Sequence, residues 1–219
     1  MKLIFLSDSV SSKNQELDTA MLALAGKNLQ ITYIPSDSYD SDVYFRDFVY
    51  HYRRLGVTKF VHFPVDIPTD PILAEEALHS DIVYLDGGNT YYFLNHLRRG
   101  GWLGKLRRYV KNGGILAGSS AGAIIMTANI QTAAVPRFTA DENTVGIINL
   151  SGLNLTSFLF VPHYVKSVRF IDALQRYSKG IASPVLSCKD GDGIIVNNTS
   201  IHFVGTVYCF HRGHCFIIR

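Results

Sequence analysis

Short apolar runs alternate along the chain with longer stretches in which apolar residues recur every three or four positions. Lys2–Ser7 (KLIFLS) is a continuous run of strand length. Gln15–Gly26 then places Leu17, Met21, Leu24 and Ala25 on one helical face. Gln30–Ile34 reads as a second strand, ended by Pro35. Val43–Leu55 carries Phe45, Phe48, Val49 and Tyr52 as a helical stripe. Lys59–Phe63 is a third strand. Pro71–Ser80 is a short helix with proline in its first turn, where a missing N–H costs little. Asp81–Leu85 is a fourth strand, Asn89–Arg99 and Trp102–Lys111 are helices, and Gly114–Ala117 is a fifth strand. Strands alternating with helices predict a doubly wound α/β fold, with a mostly parallel sheet covered on both faces.

The pattern changes in the C-terminal part. Thr156–Val161, Pro184–Ser187, Gly193–Val196, Ser200–Val204, Thr206–Phe210 and His214–Ile218 are strand-like, interrupted by one helix near Ser167–Tyr177. Asn197-Asn198 and Arg212-Gly213 are hairpin signals. The expectation is one parallel sheet finished by antiparallel strands, within a single domain spanning residues 1–219. Gln131–Gly152 is the least regular stretch and is expected to be a mobile or pocket-lining loop.

Composition narrows the classes. With 47% hydrophobic and 18% charged residues, disorder is excluded. A formal charge of +3 argues against a dedicated nucleic-acid binder. The densest basic stretch, Arg98 to Lys111, is interrupted at helical spacing by Trp102, Leu103, Leu106, Tyr109 and Val110, and reads as a solvated helix face. No apolar run reaches the ~18 residues of a membrane span, and the first apolar run is too short for a signal peptide. The 3 cysteines, Cys188, Cys209 and Cys215, fit a reducing cytoplasm rather than a disulfide scaffold. The expectation is a cytoplasmic monomer or homodimer without membrane or nucleic-acid partners. No histidine pair has ligand spacing such as HExxH, so no metal or other cofactor is expected.

The strongest chemical signal is Gly118-Ser119-Ser120-Ala121-Gly122, a G-x-S-x-G turn after an apolar strand and before an apolar helical run. Such a turn exposes Ser120 Oγ at the carboxyl end of the sheet and aims the Ala121 N–H at a developing oxyanion. Asp86-Gly87-Gly88-Asn89-Thr90 is a second glycine turn in the same strand-to-helix setting, with Asn89 or Thr90 as N-cap and Gly88 or its neighbour as a second oxyanion donor. Of the 8 histidines, His62 lies in or just after a short strand, and His163 follows Pro162 at the carboxyl end of a strand on the edge where Ser120 stands, which makes His163 the candidate base. Asp190 is the first carboxylate after Val185–Lys189 and the candidate orienter, with Asp192 and Asp86 as rivals. The order Ser, His, Asp differs from the Ser, Asp, His order of α/β-hydrolases.

At DGGNT (Asp86–Thr90), GSSAGA (Gly118–Ala123), Pro162-His163-Tyr164 and Lys189-Asp190-Gly191, the sequence resembles the dipeptidase E family of serine peptidases, which includes cyanophycinases. The resemblance runs over nearly the whole chain. It implies a class I glutamine amidotransferase-like fold, with serine in place of cysteine. It also implies Ser120 as nucleophile, His163 as base, Gly88 and Ala121 as oxyanion donors, and Asn89 and Arg169 as substrate contacts. In the family's aspartyl dipeptidases the third triad member is a glutamate, and an arginine after the catalytic histidine reads an N-terminal aspartate. Here Asp190 is shorter by one methylene, so its reach to His163 calls for a longer contact or a shifted loop. The expected function is a serine-type peptidase acting on small peptides, with N-terminal aspartate as the candidate preference. The competing readings are a weakened relative that binds a small molecule or partner, and an esterase or amidase.

Overall fold

In the computed structural model, which describes residues 1–9, 11–26 and 29–218, the apolar runs of the N-terminal half become strands and the stripes become helices. In chain order these are β1 (Lys2–Leu6), α1 (Gln15–Ala25), β2 (Gln30–Ile34), α2 (Ser41–Arg54), β3 (Lys59–His62), α3 (Pro71–His79), β4 (Ile82–Leu85), α4 (Thr90–Arg99), α5 (Trp102–Lys111), β5 (Ile115–Ser119) and α6 (Ala121–Met126). The C-terminal part adds β6 (Leu159–Val161), α7 (Val168–Lys179), β7 (Val185–Cys188), β8 (Gly193–Asn197), β9 (Ser200–Val204), β10 (Val207–His211) and β11 (His214–Ile218). Helix starts follow their local chemistry. Asp70 caps α3 by accepting the Ile72 N–H at 2.8 Å, with Pro71 next in line. Asn89 caps α4 through the Tyr92 N–H at 2.9 Å.

The main sheet has the order β3-β2-β4-β5-β1-β8-β9. Its first five strands run parallel, and β8 and β9 close one edge antiparallel. Successive residues alternate between faces, as the pleat demands. Leu3 and Phe5 of β1 join a core shared with α4, α5 and α6, whereas Ile4 and Leu6 join the core under α1 and α2. Both faces are therefore covered, which is why these strands read as unbroken apolar runs.

The single sheet expected from the sequence is corrected to two. The strands β11-β10-β7-β6 form a separate 4-stranded sheet in which β6 and β7 pair parallel. Phe160, Leu186, Cys188 and Val207 face the main core, where Phe5 meets Phe160 at 5.6 Å between ring centroids. Leu159, Val161, Val185, Tyr208 and Phe210 face the other way, onto Phe170 and Leu174 of α7. Strands that are apolar on both faces need cover on both. The edge of the main sheet cannot supply it, because β9 is largely exposed there. The expected strand from Thr156 also shortens, since Thr156 Oγ1 turns to the Phe158 carbonyl at 2.9 Å and pairing starts only at Leu159.

The basic stretch is not simply solvated. Arg98 donates to the Asn149 and Ser151 carbonyls at 2.6 and 2.8 Å. Arg107 donates to Leu153 and Gly152 at 2.9 Å each. Four carbonyls that a loop would otherwise leave to water are thus tied to α4 and α5. Among the described residues, no helix is long and apolar enough to cross a membrane.

A Cβ on Gly122 would stand 2.1 Å from the Leu85 carbonyl oxygen, whereas one on Gly104 would meet nothing closer than an Arg108 guanidinium nitrogen at 4.0 Å. Gly122→Ala is expected to lower stability by about 1–3 kcal/mol or more. Gly104→Ala, on a helix with open space, is expected to raise it by up to about 1 kcal/mol. Urea midpoints of the two variants check this pair of opposite signs.

Candidate active site

The turn between β5 and α6 is held in a strained shape. Ser120 has φ 47° and ψ −111°, a region that non-glycine residues seldom occupy. Its neighbours explain how the strain is kept. The Ser120 N–H donates to the Leu6 carbonyl at 3.1 Å, and the Gly122 N–H donates to the Asp86 carbonyl at 3.2 Å. Gly118 allows the returning helix to lie against it, since a Cβ there would meet the Gly122 carbonyl carbon at 2.6 Å. The chain therefore has to reverse at Ser120, and the hydroxyl is left standing off the sheet edge.

His163 and Asp190 arrive from the second sheet. Parallel pairing of β6 with β7 carries both strand ends to the edge where Ser120 stands. Ser120 Oγ lies 3.0 Å from His163 Nε2, and His163 Nδ1 lies 2.7 Å from Asp190 Oδ1. A carboxylate only accepts, so Nδ1 carries the proton and Nε2 is free to accept from Ser120. The shorter side chain of Asp190 thus reaches His163 without a lengthened contact. The backbone makes up the reach: His163 adopts φ 55°, and the Tyr164 N–H holds the Cys188 carbonyl at 2.8 Å. The His163 and Asp190 side chains are 49% and 42% exposed. Water screens their charges at that exposure, so the contact orients the ring more than it stabilises the fold.

Three consecutive residues after β1 brace this arrangement. Ser7 Oγ accepts the His163 N–H at 2.7 Å and lies 3.0 Å from the Cys188 carbonyl and 3.2 Å from Asp190 Oδ1. Asp8 accepts the Gly191 N–H at 3.0 Å. Ser9 donates to Asp86 at 2.6 Å. Sequence reasoning missed all three, although Ser7 ends a strand on the very edge that singled out Ser120 and His163.

The rival carboxylates are engaged elsewhere. Asp86 is buried beneath the turn, where Ser9, Tyr33 and Ser119 all donate to it. Burial and the adjacent Asp86 carboxylate push the Tyr33 phenol far above its usual range, so it stays a donor. Asp192 accepts the Thr206 N–H at 3.1 Å. Cys188 contributes only its carbonyl, because burial pushes its thiol well above the usual range.

Ala121 follows Ser120 directly, and among the described residues neither its N–H nor that of Gly88 has a hydrogen-bond partner within the protein. Gly88 has φ 131°, and a Cβ there would lie 1.9 Å from Ser36 Oγ. Gly87 faces the serine directly, its would-be Cβ 3.4 Å from Ser120 Cβ. Asn89 is occupied with the fold: Oδ1 caps α4, and Nδ2 donates to the Glu142 carbonyl at 2.9 Å.

Two cavities adjoin the turn. One, of about 70 Å³, is lined by Ser120, His163, Thr90, Thr132, Asp141 and apolar side chains that include Val135. The other, of about 320 Å³, lies across Gly87 and Gly88 and is lined by Tyr33, Ser36, Tyr39 and Tyr44. The irregular 131–152 stretch therefore lines the site, as the sequence suggested. Arg169 is not in either cavity. Its guanidinium stacks 4.1 Å from the Phe138 ring centroid, in a separate cavity of about 410 Å³ that it shares with Arg137 and Arg176. The structure thus joins Ser120, His163 and Asp190, with Ala121 next in the same turn and Gly87 facing Ser120, and leaves Arg169 in a separate cavity.

Comparison with known proteins adds to this geometry. The family model of peptidase family S51 matches residues 3–204. An uncharacterized peptidase of Pasteurella multocida is 28% identical over 207 residues, 90% of this chain and 95% of its own length. Peptidase E of Escherichia coli is 32% identical over 99 residues, 45% of this chain and 40% of that protein. A solved structure from Listeria monocytogenes, provisionally named a peptidase E, superposes with a TM-score of 0.75 at 20% identity, covering 92% of this chain and 96% of that one. A peptidase from an acI-B1 Actinobacterium does so with a TM-score of 0.71 at 15% identity, covering 99% of this chain and 93% of that one. At such identities the two superpositions show the shared fold: an α/β chain with a mostly parallel central sheet and added antiparallel strands.

Ser7 contacts both His163 and Asp190, so Ser7→Ala removes a partner from each without touching Ser120. A loss of about 1–2 kcal/mol of orientation, or roughly 5–30-fold in kcat, is expected. Steady-state kinetics on a small peptide substrate, with the thermal midpoint measured alongside, separates this from simple unfolding.

Proposed function

This chain belongs to peptidase family S51 and is a peptidase, and from that premise we propose that it hydrolyses small peptides through Ser120, His163 and Asp190. The observation that supports this reading is the continuous relay from Ser120 Oγ to His163 Nε2 at 3.0 Å and from His163 Nδ1 to Asp190 Oδ1 at 2.7 Å. In the proposed reaction Ser120 Oγ attacks the scissile carbonyl carbon as its proton passes to His163 Nε2. Asp190 holds the ring and stabilises the imidazolium. The carbonyl oxygen becomes an oxyanion facing the unpartnered Gly88 and Ala121 N–H groups, each typically worth a factor of about 10²–10³. His163 returns the proton to the leaving amine, which departs through the larger cavity beside Gly88. Water then attacks the acyl-serine as His163 takes its proton, and His163 passes that proton to Ser120 Oγ as the ester bond breaks and the acid leaves.

A preference for N-terminal aspartate is the weaker part of the resemblance for this chain. Among the described residues, no lysine or arginine lines the cavity beside Ser120. Arg169 instead stacks on the Phe138 ring in a separate cavity.

A fluorophosphonate probe is expected to label Ser120 in the folded protein, and Ser120→Ala to abolish both labelling and peptide turnover. Asp190→Asn should lower kcat by a factor on the order of 10³–10⁴ through loss of the correct tautomer. Full turnover by Ser120→Ala would sink the mechanism.

A further inference from the structure

Gly87 faces Ser120 and also lines the larger cavity, together with Gly88, Asp37, Tyr39 and Tyr44. That cavity therefore begins one residue from the nucleophile. Tyr33 in its floor is buried against Phe45 and Phe48, whereas Tyr39 and Tyr44 are 82% and 62% exposed. Two exposed aromatic side chains lining one cavity beside a reactive serine mark a recognition surface.

Asp37 adds a charge to this surface. Its Oδ1 accepts the Tyr39 N–H at 3.1 Å, and its Oδ2 accepts from Ser36 Oγ at 3.2 Å, so the carboxylate is fixed. Among the described residues the ion pairs are three His–Asp contacts, and none of them neutralises Asp37. Asp86, which lines the same cavity, is by contrast engaged by Ser9, Tyr33 and Ser119. The surrounding segment 36–47 carries Asp37, Asp40, Asp42 and Asp47 against Arg46 alone. Among the described residues, no lysine or arginine lines the cavity.

Aromatic side chains and a fixed, un-neutralised carboxylate are complementary to a cation on an apolar stem. Ring faces attract a guanidinium or ammonium, the carboxylate pairs with its charge, and the stem covers apolar surface. A neutral aromatic side chain would strip water from Asp37 without pairing it. An acidic side chain would meet like charge.

We propose that Asp37, Tyr39 and Tyr44 form a leaving-side subsite that selects peptides in which lysine or arginine directly follows the scissile bond. This rests on the proposed reaction, in which Ser120 attacks and the leaving amine departs beside Gly88.

The test uses two series of dipeptide amides, one beginning with alanine and one with aspartate. The second residue is arginine, citrulline, phenylalanine or glutamate, and fluorophosphonate labelling of Ser120 is run in parallel. Citrulline keeps the shape of arginine without its charge, and the amide removes the terminal carboxylate. In whichever series is cleaved faster, arginine is expected to exceed citrulline about 10-fold in kcat/KM and glutamate about 100-fold. In about 1 M salt the arginine-to-citrulline ratio should fall to about 3, because the charge is screened. Asp37→Asn keeps an acceptor for the Tyr39 N–H and should lower that ratio to about 2–3, chiefly by raising KM for arginine. Replacing Tyr39 and Tyr44 together by alanine should lower kcat/KM for the arginine substrate about 5–10-fold. A merely structural role for the rings would move the thermal midpoint and leave the order of substrates unchanged. Equal turnover of arginine and citrulline, a preference for phenylalanine or glutamate, or an unaltered ratio in Asp37→Asn would each overturn the subsite. So would a labelled Ser120 with no turnover in either series. Failure of Ser120 to label in folded protein would overturn the nucleophile reading, and the subsite with it.

Discussion

Gly122 lies so close to the end of β4 that only a hydrogen fits between its Cα and the Leu85 carbonyl. That contact draws α6 down onto the sheet, with Gly118 making room on the strand side. The chain has one residue in which to reverse, and Ser120 takes the strained conformation that results. The strain is local, but what holds it is not: Leu6 of β1 and Asp86 after β4 each bond to this turn. Three neighbouring strand ends are thereby locked together. The Ala121 N–H, left without a partner, belongs to the same compressed turn.

The second sheet solves a different problem. The base for a hydroxyl on this rigid edge comes from outside the parallel sheet. The parallel pair β6 and β7 brings two strand ends to that edge together, so the partners of Ser120 come as a set. The surface they meet is polar and open to water, and little of the stability of the fold rests on it. Precision comes instead from hydrogen bonds to Ser7 and Asp8, residues that directly follow β1 of the main sheet. The two sheets are thus joined electrostatically at the site and hydrophobically at Phe5 and Phe160.

Charge is partitioned between cavities. Asp141 lines the one beside Ser120, while Arg137, Arg169 and Arg176 line a separate one. Val135 lines both. The position of an arginine along a helix cannot reveal into which of two neighbouring cavities its guanidinium falls.

Much of the fold was legible in the sequence because period and turn chemistry are local. The run at Lys2–Leu6, the stripe through Phe48 and Tyr52, the proline at α3 and the hairpin at Asn198 each follow from a few neighbouring residues. The serine turn was legible for the same reason: its two glycines and its strand-to-helix setting lie within one short stretch. The strand-end rule then led to His163 and Asp190 as candidates. The division into two sheets was not legible, because apolar runs at 159–161 and 185–188 demand cover without saying which element gives it. Neither were the bracing role of Ser7, the occupation of Asn89 by Glu142, or the separation of Arg169 from Ser120. These depend on contacts across long sequence separations, such as the 156 positions between Ser7 and His163. Short-range sterics and periodicity made the candidate residues readable one by one. Which of them meet was left to the fold, because distance between side chains is set by packing and not by order along the chain.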